Sequence, residues 1–165
     1  LAPARVDEAV AERARSVAIA AVEALGGVGV HGVELFLTRD DEILVNEIAP
    51  RPHNSGHWTI EACATSQFEQ HVRAVTDLPL GSTRQYCPAV MVNLLGAPEA
   101  RGTPAIVGLD EALALPGVAV HLYGKASVSP LRKMGHMTIT APTMDEALDI
   151  ARQARALVRI EGSEG

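Results

Sequence analysis

Two glutamates flank a polar turn in the first third of the chain. Residues 28–37 and 42–48 have the hydrophobic, β-branched composition of strands, and residues 38–41 form a polar link between them. We therefore expect an antiparallel hairpin. With the turn centred between positions 40 and 41, opposed residues have numbers that add up to 81, and Glu34 then faces Glu47.

Two carboxylates opposed in a sheet repel each other, and a divalent cation between them would remove that repulsion. Hydrophobic neighbours surround both Glu34 and Glu47 in the sequence, so we expect poor screening by water. Hard oxygen ligands in small number suit Mg²⁺, which completes its shell with waters and nucleotide phosphates. The alternative is a solvated sheet face, and a register shift of one residue would separate the two side chains.

The loop that follows the second strand is rich in cationic and hydrogen-bonding groups. No acidic residue occurs between Glu47 and Glu61, and the stretch contains Arg51, His53, Asn54, Ser55 and His57. Such donors on a proline-stiffened loop suit phosphate or carbonate oxygens. The next helix, starting near residue 58, would add free N–H groups. An ordinary polar loop is the alternative interpretation.

A second acid-free stretch covers residues 112–144 of this acidic chain. Lys125 and Arg132 lie there among glycines and serines, and together they offer a point charge and a bidentate fork that suit a phosphomonoester. The stretch is therefore a candidate anion site on a loop between strands. Chance clustering of surface cations is the alternative, and it is our interpretation of Lys133.

The elements that must position these residues belong to an α+β fold in two unequal pieces. Hydrophobic periodicity and helix-breaking residues predict a helix at 58–77 that breaks near 65–66, and six further elements in addition to the hairpin. The further elements are a helix at 6–25, strands at 89–95, 118–122 and 134–141, and helices at 110–115 and 144–159. A composition change near Ser82 divides the chain into domains at 1–84 and 85–165.

Composition excludes several classes of protein. A net charge of −6 and a pI near 5.5 argue against a nucleic-acid partner. No apolar run approaches the roughly 20 residues of a membrane span, and the N-terminal sequence is not a signal peptide. Cys63 and Cys87 have no metal-binding or disulfide spacing, which is typical of a reduced, cytoplasmic protein.

Several long motifs resemble one family. The family is that of the carboxyaminoimidazole ribonucleotide synthetases, which are ATP-grasp ligases of purine biosynthesis, and the resemblance covers roughly residues 1–150. The motifs NEIAPRPHNSGHWTIEA and SQFEQHVRA resemble the end of its ATP-grasp domain, and HLYGK and RKMGHMT resemble its small, mostly-β C-terminal domain.

The resemblance implies an enzyme that uses ATP to convert bicarbonate to carboxyphosphate and then carboxylates the amine of aminoimidazole ribonucleotide. It also implies a homodimer. By position in the motifs, each candidate residue takes a role. Glu34 and Glu47 would hold Mg²⁺ against ATP with Asn46 beside them, Arg51 and His53 would face the bicarbonate, Lys125 and Arg132 would bind the ribonucleotide phosphate, and Asn54 and Ser55 would be neighbours of the substrates.

The family's glycine-rich phosphate loop and its nucleotide lysines have no counterpart before Glu34. We therefore expect the chain to hold only the C-terminal part of the ATP-grasp domain and to be inactive without the missing N-terminal part of the enzyme. Two alternatives stay open. One is another ATP-grasp carboxylase or ligase with a different amine, and the other is a non-catalytic module that binds nucleotide phosphates.

Overall fold

The structure is a computed structural model that describes residues 1–163. The chain divides into two compact units, one made of residues 4–85 and the other of the residues from Tyr86 onward together with residues 1–3. The first residues join the second unit through Ala2, whose N–H and C=O both bond to Ala89. The mixed α and β class expected from the sequence is confirmed.

The first unit begins with helix α1, Glu8–Leu25. The Asp7 carboxylate caps this helix by accepting a hydrogen bond from the Val10 N–H at 2.8 Å. Gly26 ends it in the left-handed conformation, at φ 64°. The helix packs on a two-stranded antiparallel sheet made of β1, Gly32–Leu37, and β2, Ile43–Ala49.

Short helices follow the sheet. A 3₁₀ turn at Asn54–Gly56 leads into α2, Thr59–Ala62, and then into α3, Gln67–Val75. The break predicted near residues 65–66 is present. The Ser66 hydroxyl caps the start of α3 by accepting a hydrogen bond from the Glu69 backbone N–H. The helix near residue 58 is much shorter than predicted.

The second unit contains two antiparallel sheets and two helices. The first sheet has the strand order β3-β6-β5, and the second pairs β4 with β7. Its elements are β3 Ala89–Leu95, β4 Thr103–Val107, α4 Leu109–Leu113, β5 Val118–Leu122, β6 Lys133–Thr140, α5 Met144–Leu157 and β7 Arg159–Ser163.

The hydrophobic core lies in this second unit, where α5 packs on β3 and β6. A capping box between Thr143 and Glu146 starts α5. The helix ends at Leu157, two residues earlier than predicted, because the chain turns into β7. Strands β4 and β7 were not predicted from the sequence. No helix among the described residues is long and apolar enough to cross a membrane.

Candidate active site

Glu34 and Glu47 are directly paired across β1 and β2, as the hairpin predicted. The register that leads to this pair differs from the predicted one. Near the turn the numbers of paired residues add up to 80, as in Leu35 with Val45, and a bulge at Asn46 changes the sum to 81. The extra residue therefore aligns the two carboxylates, because a uniform register from this turn would have placed Glu34 opposite Asn46.

The bulge also gives Asn46 a role at the pair. Its carboxamide donates to Glu34 Oε2 at 3.2 Å, and so one carboxylate oxygen is held from the neighbouring strand.

The expectation that water screens the two carboxylates poorly is wrong for this chain. Glu34 is half-buried, while Glu47 and the neighbouring Val45 are exposed, because the hairpin's hydrophobic residues are not packed inside a core.

His53 brings a ring to the carboxylate pair. Its Nε2 lies 3.6 Å from Glu34 Oε1, and ligand atoms of Glu34, Glu47 and His53 all lie within 4.8 Å of one another. Two carboxylates on facing strands are the kind of donor that Mg²⁺ selects, whereas an imidazole suits softer metals. The oxygen donors therefore fit Mg²⁺, and His53 fits it poorly.

Hydrogen bonds at the other side of the His53 ring also indicate that the two carboxylates, and not His53, would bind Mg²⁺. Nδ1 lies 2.9 Å from the Ser55 hydroxyl and accepts a longer bond, 3.4 Å, from the Ser55 backbone N–H. Because a backbone N–H only donates, the neutral ring carries its proton on Nε2, the atom that faces Glu34. A protonated nitrogen donates to a carboxylate and cannot also bind a metal.

The remaining loop residues are placed as follows. Arg51 is exposed, and its guanidinium donates to the carbonyl of Pro52 at 3.1 Å. Asn54 begins the 3₁₀ turn and accepts the His57 N–H through its carbonyl. The helix that was expected to offer free N–H groups near residue 58 is only one turn long. Its Ile60 N–H already bonds to the His57 carbonyl, so this helix start offers fewer free N–H groups than expected.

One residue that organises this loop was missed. Gln67 is the first residue of α3, only 8% exposed, and its carboxamide bonds to His53 and His57 of the loop. The sequence gives little sign of this role, because a glutamine at a helix start is usually a surface residue. The run SQFEQHVRA, which carries the family resemblance, contains it.

The second cationic stretch forms the loop between β5 and β6. The Lys125 ammonium donates to the Lys133 carbonyl at 2.5 Å, and Arg132 donates to both the carbonyl and the hydroxyl of Ser127, each at 2.9 Å. Among the residues that the structure describes, neither cation pairs with a carboxylate. Leu131 adopts φ 59°, a strained conformation for leucine, immediately before Arg132. The convergence of Lys125 and Arg132 on one anion stays a prediction.

Aromatic residues support the base of this loop. The Lys125 ammonium lies 5.8 Å from the centre of the Tyr123 ring, and the Tyr123 hydroxyl lies 3.0 Å from Nδ1 of the buried His136. Burial raises the pKa of the Tyr123 phenol, which keeps the hydroxyl protonated near neutral pH. His121 stacks on His136 with ring centres 4.6 Å apart.

Comparison with known proteins supports the family resemblance. Residues 1–68 match the ATP-grasp domain family, and residues 89–150 match the phosphoribosylaminoimidazole carboxylase C-terminal domain family. N5-carboxyaminoimidazole ribonucleotide synthase of Bacillus subtilis is 47% identical over 146 residues, which cover 88% of this chain and 37% of that protein.

Solved structures agree with this result. The N5-carboxyaminoimidazole ribonucleotide synthetase of Thermotoga maritima superposes with a TM-score of 0.95 at 56% identity, covering 98% of this chain and 45% of that one. The enzyme of Aspergillus clavatus, in complex with ADP and 5-aminoimidazole ribonucleotide, gives 0.84 at 44% identity, covering 94% and 42%. The chain thus spans less than half the length of these relatives, and over nearly its own whole length it is similar to the N5-carboxyaminoimidazole ribonucleotide synthetases.

Proposed function

We propose that a full-length protein carrying this chain uses ATP and bicarbonate to carboxylate aminoimidazole ribonucleotide in de novo purine biosynthesis. The observation that carries the proposal is the opposed pair Glu34 and Glu47 with His53 beside it. This arrangement supplies oxygen donors for a cation and a nitrogen donor for an anion at one place. The proposal is also supported by the relatives named N5-carboxyaminoimidazole ribonucleotide synthase or synthetase, and by their structures with bound ADP or ribonucleotide.

The chemistry consists of two transfers. A bicarbonate oxygen attacks the γ-phosphorus of ATP, which forms carboxyphosphate and releases ADP. The amine of the ribonucleotide then attacks the carboxyl carbon, or carbon dioxide released from carboxyphosphate; phosphate leaves and the amine loses a proton. Both steps depend on positioning and on neutralising phosphate charge. Arg51 and His53 would bind and orient the bicarbonate and the transferred phosphoryl group.

Glu34 and Glu47 would hold Mg²⁺, which when bound neutralises charge on the nucleotide phosphates. Asn46 would keep Glu34 oriented through the 3.2 Å bond to Oε2 and would lie beside the nucleotide. Because the neutral His53 ring carries its proton on Nε2, it would donate to an anionic oxygen and would not coordinate the cation.

Lys125 and Arg132 would bind the 5′-phosphate of the ribonucleotide, with Asn54 and Ser55 as further neighbours of the substrates. The phosphate site is supported by its positive charge, because neither cation pairs with a carboxylate in the described part of the chain. Arg132 is exposed and already oriented by Ser127, so a phosphate could add to its remaining donors.

The activity belongs to the whole length of the protein, which we further propose to be a cytoplasmic homodimer. The test is to measure ADP release and ribonucleotide carboxylation by the full-length protein and by the 165-residue chain. We expect turnover that requires both bicarbonate and the ribonucleotide in the first and none in the second. Turnover with a different amine would favour another ligase, and nucleotide binding without turnover would favour a non-catalytic module. Light scattering would test the dimer.

A further inference from the structure

We propose that Gln67 is a positioning residue that fixes the loop at residues 51–57 and sets the tautomer of His57. The kinetic part of this inference rests on the proposed function, whereas the tautomer does not. Gln67 is 8% exposed, and its carboxamide makes three hydrogen bonds, all to residues of this loop. A buried carboxamide with this set of partners holds its neighbours in one arrangement, because any change would leave a buried polar group unpaired.

The orientation of the carboxamide follows from its backbone partners. Oε1 lies 2.9 Å from the His53 N–H, and Nε2 lies 2.8 Å from the His53 carbonyl. A backbone N–H only donates and a carbonyl only accepts, so the oxygen and the nitrogen of Gln67 cannot be exchanged. Both polar groups of the His53 backbone are therefore tied to one side chain.

The second hydrogen of the Gln67 amide determines the state of His57. Nε2 of Gln67 lies 2.8 Å from Nδ1 of His57, and because the amide nitrogen only donates, Nδ1 must accept. The neutral His57 ring therefore carries its proton on Nε2. The ring of Phe68, the next residue in α3, stacks on the same imidazole at 5.3 Å and restricts its rotation.

Neighbouring contacts leave this arrangement little freedom. The Thr59 hydroxyl donates to the Gly56 carbonyl at 2.6 Å and accepts the Gln67 backbone N–H at 2.9 Å. A Cβ on Gly56 would lie 2.4 Å from Gln67 Oε1, and a Cβ on Gly32 would lie 2.5 Å from His53 Cβ. The His53 ring, 3.6 Å from Glu34, is thus held from the sheet side and from the helix side.

The same helix provides a matched control. Gln70, one turn later, also uses its carboxamide in two backbone bonds, accepting the Gly81 N–H at 2.9 Å and donating to the Gly81 carbonyl at 2.7 Å. Among the residues that the structure describes, the Gln70 carboxamide makes no hydrogen bond to the loop at residues 51–57. Substitutions of Gln67 and Gln70 therefore remove similar backbone bonds, but only the first changes His53 and His57.

The kinetic test compares Gln67→Leu with Gln70→Leu in the full-length protein. Because misplacement of reacting groups by about 1 Å costs on the order of a hundredfold in rate, Gln67→Leu is expected to lower kcat by about tenfold to a hundredfold. The KM for ATP should stay within about twofold, and Gln70→Leu should leave kcat within about twofold. Equal losses of kcat in both variants would show a general structural role and overturn the proposal.

The spectroscopic test does not depend on activity. Ring ¹⁵N chemical shifts of labelled full-length protein, assigned to His57 by the spectrum of His57→Asn, should show Nδ1 unprotonated and Nε2 protonated. Gln67→Glu replaces the donor by an acceptor, so Nδ1 of His57 should become protonated in that variant, and Gln70→Glu should leave the His57 spectrum unchanged. A wild-type ring with its proton on Nδ1 would overturn the proposal.

The two tests separate this inference from the proposed function. If the wild-type protein does not carboxylate the ribonucleotide, the proposed function fails while the ¹⁵N result still decides the tautomer. If the enzyme is active and Gln67→Leu keeps full kcat, the positioning role fails while the proposed function stands. If Gln67→Leu does not fold, the wild-type and Gln67→Glu spectra still give a decision.

Discussion

The two units of this chain differ in where they keep their apolar residues. The unit from Tyr86 onward contains the large cluster of buried apolar residues, in which Met137, Ile139 and Ala147 are fully buried. The unit of residues 4–85 has few buried apolar residues among those described, and most of the large exposed apolar side chains belong to it, including Phe36 at 58% and Val28 at 72% exposed.

The difference indicates that the second unit packs around its own core, whereas the first has apolar surface that the rest of a longer protein could cover. Apolar surface of this extent is rare on complete soluble domains. The first unit nevertheless contains the carboxylate pair and the loop that would handle bicarbonate and ATP. The residues proposed for the chemistry thus lie in the unit with few buried apolar residues, and those proposed for the ribonucleotide phosphate lie in the unit that contains the core cluster.

The largest effect is expected where the first unit would do its chemistry. In the full-length protein Glu47→Gln keeps the shape of the side chain but removes the charge that would hold Mg²⁺, so we expect turnover to fall by on the order of a hundredfold or more. Carboxylation rates measured across a Mg²⁺ titration check this. Glu42→Gln, at the turn of the same hairpin, should keep normal activity, and a similar loss there would refute the metal assignment.

The core of the second unit should give the next largest effect. Met137→Ala removes a fully buried side chain from β6, and we expect the free energy of unfolding of this unit to fall by about 2–5 kcal/mol. Denaturant unfolding of the 165-residue chain measures this change. Val107→Ala on the exposed part of β4 should cost less than about 0.5 kcal/mol. Similar costs at both positions would mean that the second unit has no packed core of its own.

The phosphate site should show a smaller and more selective effect. A charge-assisted contact to phosphate contributes roughly 1.5–3 kcal/mol, so Arg132→Ala should raise the KM for the ribonucleotide about tenfold to a hundredfold and leave the KM for ATP nearly unchanged. Steady-state kinetics of the full-length protein give both constants. Lys133→Ala is the control, and damage by that change instead would show that the phosphate site is misassigned.

The smallest effect is expected on the exposed apolar surface of the first unit. In the 165-residue chain Phe36→Ala should change the free energy of unfolding by less than about 0.5 kcal/mol, because the ring is mostly exposed. In the full-length protein the same change should cost about 3 kcal/mol, since the rest of the ATP-grasp domain would cover the ring. Equal, small costs in both proteins would contradict the idea that this unit is incomplete.

Much of the fold was predictable because its signals are local. Strands β3 and β5 have the predicted bounds, and the break at Ser66 follows from a capping residue within a helical pattern. Strands β4 and β7 were missed because their pairing joins residues as distant as Thr103 and Ser163, and because β4 contains a proline. A strand that starts directly after α5 gives no turn signal that separates it from the helix.

The site shows the same limit. The sequence predicts that Glu34 faces Glu47, but it does so through a uniform register, whereas the structure reaches the same pairing through a bulge. Gln67 was missed because its importance lies in partners 10 and 14 positions earlier, which a pattern along one helix does not show. The types of the candidate site residues could be predicted from the sequence. The residues that orient them, such as Gln67, could not, because they act through tertiary contacts.

The bulge at Asn46 also bears on how this hairpin can change during evolution. The extra residue is accommodated locally, between the pairs Glu34–Glu47 and Leu35–Val45, and the strands on both sides of it remain paired. Deleting Asn46 is therefore expected to remove the bulge and leave the carboxylates opposed in a uniform register. A crystal structure of the Asn46 deletion would check this. The strand thus tolerates an insertion or deletion at one position beside its most constrained residue.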